Sequence, residues 1–344
     1  MKLGYGELYF IREQDLLTQE LGQYFKIGLI KDNGDRSSVD RLLEHQTANP
    51  RKLLLFEVLT TPAIIDVEKT MHGLMAPYRV SGEWFHLSET DLEKAITTAK
   101  SLVEEVKQNL DVLTQAEMLD AALSDETVLE PTSKALVYFE RYHRANAIVS
   151  EYENLKKGFD QLLSVAIDRG ENIGNIASKQ SRSTSKFDEE RLKSDLPEIY
   201  AEFLVDRQTT SKRFLPAKPQ EALKISEISP EFFELTRQFN ALLDSGAVTQ
   251  ANSSKFHVVN RFMTVHYYRS LLDIEISEAN IKTECGISRE INGICKWKRE
   301  IKHSQHFDKV KFAENYPELE AKYTTSNEIS AMNVNRKNKY NPEQ

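Results

Sequence analysis

Over residues 1–88 the spacing of apolar positions changes several times, and each change marks an element. Leu8 to Ile11 in GELYFIRE and the aromatic and branched residues of YFKIGLI (24–30) predict two antiparallel strands. The polar QDLLTQELGQ between them reads as a loop or a short helical turn. After KDNGDR, which carries an Asn-Gly turn signal, SSVDRLLEHQ opens with serines suited to N-capping and sets Val39, Leu42 and Leu43 on one helical face. The same helix brings Arg41 and His45, four residues apart, together on another face. KLLLFEVLTT predicts a third, short strand, and TPAIIDVEKTMHGLMAPY a helix with proline in its first turn and with Glu68 and His72 at i and i+4. The sum is an α+β domain over 1–88, a small three-stranded antiparallel sheet with flanking helices.

From Ser88 the pattern becomes helical. A capping-box-like Ser88/Asp91 pair precedes a stripe of Leu92, Ile96, Ala99, Val103, Val106 and Leu110, which predicts an acidic connector helix over 89–130 packed on a neighbour. The remainder reads as a mainly α-helical C-terminal region. It divides into a helical module at 131–216, a linker region at 217–264 marked by Pro219 and Pro230, a second module at 265–323 and a flexible tail at 324–344. DSGAVTQANSSK (244–255) marks a further break.

An internal repeat cuts across that division. Residues 175–203 align with 293–323, so that Phe187-Asp188 falls on Phe307-Asp308, Pro197-Glu198 on Pro317-Glu318 and Ala201 on Ala321. Each copy has an isoleucine (Ile176, Ile294), a basic loop and a short helix entering a proline, which predicts two related modules.

The formal net charge of −8 adds little until it is divided along the chain, into −2 over 1–88, −8 over 89–130 and +2 over 131–344. The acidic excess lies in the connector, and the flanking parts keep room for basic faces, so bulk charge neither supports nor excludes DNA. No apolar run approaches the roughly 18 residues that a membrane span needs, and the start lacks a secretory apolar segment. Only two cysteines, Cys285 and Cys295, are present, too few for a disulfide framework. A cytoplasmic protein without a membrane partner is the expectation. Cys285, Cys295, His303 and His306 have intervening spacings that fit no common zinc finger, and buried small residues are the simpler reading.

Metal-assisted phosphodiester hydrolysis needs an anionic ligand for a divalent ion, a cation to steady charge on phosphorus and a proton acceptor. Glu68, Arg41 and one of Tyr9, Lys26 or His45 could supply these. Composition alone would not single them out. Their order does more: Tyr9 in ELYFI, Lys26-Ile27-Gly28, Arg41 followed by TANP, then Glu68 and His72, then SGEWF (81–85) resembles the GIY-YIG nuclease superfamily over residues 4–87. The likeness is to the branch common in phages and in a fungal meiotically up-regulated protein.

The resemblance implies that Tyr9 takes the proton of the attacking water and that Lys26 stands where other members have a second tyrosine, as a base or a phosphate-holding cation. It implies that Arg41 contacts the scissile phosphate and that Glu68 is the sole carboxylate ligand of one Mg2+ or Mn2+ ion. His45 is similar to a histidine of restriction-type members. Trp84 and Phe85 read as core, Glu83 as a hydrogen-bonding anchor and His72 as a packed or substrate-side group. Glu7-Leu8-Tyr9 departs from the Gly-Ile-Tyr that names the superfamily.

The repeat resembles the C-terminal part of phage YqaJ-type recombination exonucleases at Trp297-Lys298, Phe307-Asp308 and Pro317-Glu318-Leu319, without that family's catalytic half. Basic loops beside Trp297 would suit phosphates and bases. The sequence thus predicts a metal-dependent DNA endonuclease of phage or mobile-element type, whose partners are DNA and, through the helical region, a protein. The alternative is a catalytically silent nucleic-acid- or protein-binding regulator on the same fold.

Overall fold

The structure, a computed structural model, describes residues 1–334 except 33, 35, 48, 172, 174–176, 222 and 247. Asn33 of the turn signal, Ile176 of the first repeat and residues 335–344 of the expected tail therefore lie outside the described residues.

The sheet of the N-terminal part has five strands, two more than the sequence predicts. Strands β1 (Gly6–Gln14) and β2 (Leu21–Lys31) pair antiparallel, helix α1 (Ser38–Thr47) follows, and β3 (Lys52–Thr61) pairs with the other edge of β1. After α2 (Ile64–Leu74) come the short β4 (Arg79–Ser81) and β5 (Trp84–His86), giving the order β3-β1-β2-β5-β4. The extra hairpin is three residues a side and turns at Gly82, whose φ of +56° suits glycine. SGEWF held that turn signal, but strands so short carry no readable alternation.

Alternation explains the two faces of the sheet. Leu8, Phe10, Phe25 and Ile27 join one core with α2, whereas Tyr9, Ile11 and Ile30 join another that includes Leu42 of α1. Val39 and Leu43 of α1, expected on the packed face, are 52% and 61% exposed. The helix is fixed by its ends instead. Glu7 on β1 accepts the Ser38 N–H at 3.0 Å, and near the C-terminus the Gln46 side chain accepts the Leu53 N–H at 2.7 Å and donates to the Arg51 carbonyl at 2.9 Å. Polar clamps override the apolar stripe.

Helix α3 (Glu89–Gln108) is less a connector than a wall of the first core, where Leu92, Ala95, Ala99, Leu102, Val103 and Val106 are buried. It ends at Asn109, and α4 (Leu110–Ala121) follows. After β6 (Val128–Leu129), α5 (Ser133–Asp168) runs for 36 residues. Next come β7 (Ala177–Phe187), α6 (Glu189–Asp195), α7 (Pro197–Glu202), β8 (Leu204–Ser211) and β9 (Leu215–Pro216). The stretch expected as a linker holds α8 (Ile225–Ile228), α9 (Pro230–Asp244) and the first turns of α10 (Gln250–Cys285), also 36 residues long. Thr249 caps α10 after the Gly246 turn, where the sequence places a break.

Helices α5, α9 and α10 share a core around Phe159, Phe232, Phe239 and Phe256. Helix α10 also inserts Leu272, Ile276 and Ala279 into the core of the N-terminal sheet. It approaches α2 so closely that a Cβ at Gly73 would lie 2.1 Å from the Tyr268 ring. Sheet and helical region are thereby one packed body. No helix among the described residues is long and apolar enough to cross a membrane.

Beyond α10, β10 (Glu290–Ile291) and β11 (Cys295–Lys296) join β6 and β9 in a small sheet whose β6–β10 pair is parallel. Cys285 and Cys295 are buried there as free thiols. Then follow β12 (Glu300–Phe307), α11 (Lys309–Asn315), α12 (Pro317–Tyr323) and β13 (Thr324–Val334). The region expected as mainly helical thus carries two long β-ribbons, and the expected flexible tail begins as a strand.

Those ribbons correct the reading of the repeat as two modules. Strand β7 of the first copy pairs with β13 of the second, and β8 pairs with β12. Equivalent bonds recur: Asp188 N–H donates to the Tyr323 carbonyl and Asp308 N–H to that of Phe203, both at 2.8 Å. Asp188 and Asp308 each cap their helix, and Pro197 and Pro317 each open the next. Leu192, Phe203, Phe312 and Tyr323 fill one shared core. The copies are interlaced halves of a single unit.

Two residues expected in a basic nucleic-acid loop are core. Trp297 and Arg299 are both fully buried, with the guanidinium 3.7 Å from the indole centroid and donating to the carbonyls of Leu119 and Gly286. Trp297 has no exposed face on which a base could stack.

Candidate active site

Four elements bring the predicted residues to one place. Tyr9 comes from β1, Lys26 from β2, Arg41 and His45 from α1, and Glu68 from α2. In the β1–β2 register Tyr9 faces Gly28, and a Cβ there would sit 2.4 Å from the Tyr9 hydroxyl. The glycine of Lys-Ile-Gly is therefore the space into which the Tyr9 ring lies.

The Tyr9 hydroxyl is 3.5 Å from His45 Nε2 and hydrogen-bonds the Arg41 side chain. Burial holds its pKa above the ordinary phenol value, and Arg41 pulls against that. Arg41 is held on its other side by Glu44 at 2.7 Å. That pair is exposed and screened by solvent, so a phosphate could displace the carboxylate cheaply. His45 titrates below its usual value, because burial and the charges of Lys26 and Arg41 disfavour the imidazolium. It is a neutral ring at pH 7.

Lys26 is 7% exposed and forms an ion pair with Glu83, delivered by the β4–β5 turn. The pair ties β2 to the β4–β5 hairpin inside the site. Burial pushes Glu83 up, but the Lys26 bond and charge outweigh it and hold the carboxyl below its usual range.

Glu68 contrasts with Glu83. It is half-buried and makes no hydrogen bond or ion pair among the described residues. Burial first, then the Glu83 charge, push its pKa to about 7, with Lys26 and Arg79 opposing. That carboxylate has no direct ion-pair partner among the described residues, and the donor fits a hard divalent ion that keeps water and substrate oxygens as its other ligands. Among the described residues no group of three or more His, Cys, Asp or Glu forms a protein-only cage.

The raised pKa has a stability consequence. A carboxyl whose folded value of about 7 exceeds its reference of 4.5 contributes stability that is fully present below about pH 4.5 and lost as pH rises through 7. Thermal melts should show Glu68→Gln matching the wild type near pH 4.5 and exceeding it by pH 8. Magnesium should stabilise only the wild type, and most at the higher pH. A gap that does not change with pH would contradict the assignment.

Two side chains complete the cluster. His72 Nε2 donates to the Ile27 carbonyl at 2.8 Å, fixing α2 to β2. Arg79, which the sequence reading passed over, lines the cleft beside Glu68 and donates to the His72 carbonyl at 3.1 Å. The only sequence signal for it was its position at the start of the hairpin that delivers Glu83.

Glu68, His72 and Arg79 open onto a cleft of about 580 Å³ whose opposite wall is formed by α5 and α10. Comparison with protein-family models, with curated proteins and with solved structures gives no match.

Proposed function

We propose that the chain is a divalent-metal-dependent endonuclease that hydrolyses phosphodiester bonds of DNA. What supports the reading is that Tyr9 of β1 hydrogen-bonds Arg41 of α1 and lies within electrostatic range of Glu68 of α2, which itself lines the cleft.

In this reading the scissile phosphate sits between Arg41 and Glu68. A divalent ion held by Glu68 would supply Lewis-acid stabilisation of charge on the phosphate and leaving oxygens. Arg41 orients the phosphate and neutralises charge that grows on its oxygens during attack. Tyr9, kept neutral by burial, passes its proton to the neutral His45 as it accepts one from the attacking water, so no bare phenolate forms in a buried site. The 3.5 Å separation is long for that transfer and of a kind that tightens when substrate binds. The Lys26–Glu83 pair holds the positive and negative charges of the pocket in place.

The test is incubation of purified full-length protein with supercoiled plasmid and oligonucleotide duplexes in magnesium or manganese. Nicking that stops with chelator and returns with metal is expected. An inert wild type across several DNAs, with both metals, would overturn the proposal and favour the silent binding protein.

A further inference from the structure

We infer that α5 and α10 form the second half of the substrate site, with Lys156, Lys157 and Arg261 gripping the sugar-phosphate backbone of the strand that leaves the scissile phosphate. The inference rests on the proposed nuclease reading for the position of that phosphate.

The cleft beside Glu68 has two walls. Lys69 and Arg79 stand on the near wall with Glu68, and Lys156, Lys157 and Arg261 on the far wall. Against these five cations the lining carries three acids, Glu68, Glu153 and Asp160. The cleft is therefore net positive before any metal is counted, in a chain of net charge −8. Glu153 also accepts the Tyr267 hydroxyl at 3.5 Å, which occupies one acid of the far wall.

Lys69, Lys156 and Lys157 make no ion pair among the described residues, whereas Lys26, Lys100, Lys134, Lys179 and Lys282 each do. Uncompensated ammonium groups on opposite sides of one trench suit a polyanion, and a lysine needs no fixed approach angle to hold a phosphate. His257, half-buried and also in the lining, has no hydrogen-bond partner for its Nε2 among the described residues.

Length distinguishes a polymer from a mononucleotide. The lining of α10 extends from Phe256 to Tyr268, roughly 18 Å at the helical rise of about 1.5 Å per residue. One DNA strand advances about 3.4 Å per nucleotide, so the trench spans about five steps. A free nucleotide would fill one end of it.

The close approach at Gly73 and Tyr268 fixes this wall against the helix that carries Glu68. The phosphate-binding lysines are thus held in constant register with the cleavage point.

The experiment compares full-length wild type, Lys156→Glu/Lys157→Glu and the milder Lys156→Gln/Lys157→Gln, with thermal melts confirming equal folding. Fluorescein-labelled single-stranded and duplex 20-mers are titrated by anisotropy in chelator at several salt concentrations, and cleavage is followed separately in magnesium. The charge-reversed pair should bind at least about tenfold more weakly. The salt slope should fall by about 1.4 on single strands, at about 0.7 per contact, or about 1.8 on duplex. KM should rise more than kcat falls.

Unchanged affinity and slope in a folded charge-reversed pair overturn the inference even if the wild type cleaves. So does a wild type that binds no 20-mer. Binding that depends on the lysines in a wild type that never cleaves upholds the inference and removes the catalytic reading alone.

Discussion

Glu68→Ala should leave cleavage at least about 10³-fold below wild type with oligonucleotide binding preserved. Among the described residues Glu68 has no direct ion-pair partner, whereas Glu83 is committed to Lys26. On the proposed reading, loss of Glu68 would remove the ion and its contribution at once, and single electrostatic stabilisers in enzymes are each worth about 10²–10³ in rate. Raising magnesium should not rescue the variant, because Glu83, the acid whose charge acts on Glu68, is held by Lys26. Glu68→Gln keeps the volume and should fail equally, which separates charge from packing. A variant that still nicks plasmid within tenfold of wild type would show that Glu68 is a solvated helix residue and that the metal, if used, is held elsewhere.

Gly28→Ala should cost about 10²-fold in cleavage and about 1–3 kcal/mol in stability, although it adds one methyl group to a strand. The backbone there is ordinary β-strand, so no strain in φ is at issue. The added carbon would lie 2.4 Å from the Tyr9 hydroxyl, on a ring that is 1% exposed and packed on Ile11, Ile30 and Leu53. Over-packing of this kind typically costs about 1–3 kcal/mol. A shift of about 1 Å in a reacting group can cost about 10² in rate.

The control is a double-mutant cycle, with urea melts as the readout. In a Tyr9→Ala background the methyl has room, so Gly28→Ala should there cost much less. Additive costs would place the clash somewhere other than on Tyr9.

The elements that carry the candidate residues were legible because they are strongly patterned. Tyr9 and Lys26 lie on strands that the apolar alternation marks, and Arg41, His45 and Glu68 on helices with evident starts. What alternation could not show was why Gly28 follows Lys26, since that depends on cross-strand register with β1. The Lys26–Glu83 pair was hidden for a related reason, because Glu83 arrives on a hairpin too short to have a period.

The same limit explains the errors elsewhere. Val39 and Leu43 look like a buried stripe, yet the hydrogen bonds that Ser38 N–H donates to Glu7 and Leu53 N–H donates to Gln46 orient α1 otherwise. Trp297 and Arg299 look like a nucleic-acid loop because residue type carries charge but not depth. TTSNEISAMNV looks like a frayed end because it has no apolar face, and β13 is held by its pairing with β7, to which Ser183 and Ser326 add a side-chain hydrogen bond. The repeat was visible as similarity, but which strand pairs with which is decided by chain closure over more than a hundred residues.

That closure bears on how the chain would respond to a protease. A cut in the Gly246 turn would separate α5, β7, β8 and β9 from α10, β11, β12 and β13, yet each long helix and each ribbon finds its mate on the other fragment. The two pieces should stay together as a non-covalent heterodimer, and expressed apart they should reassemble only when mixed.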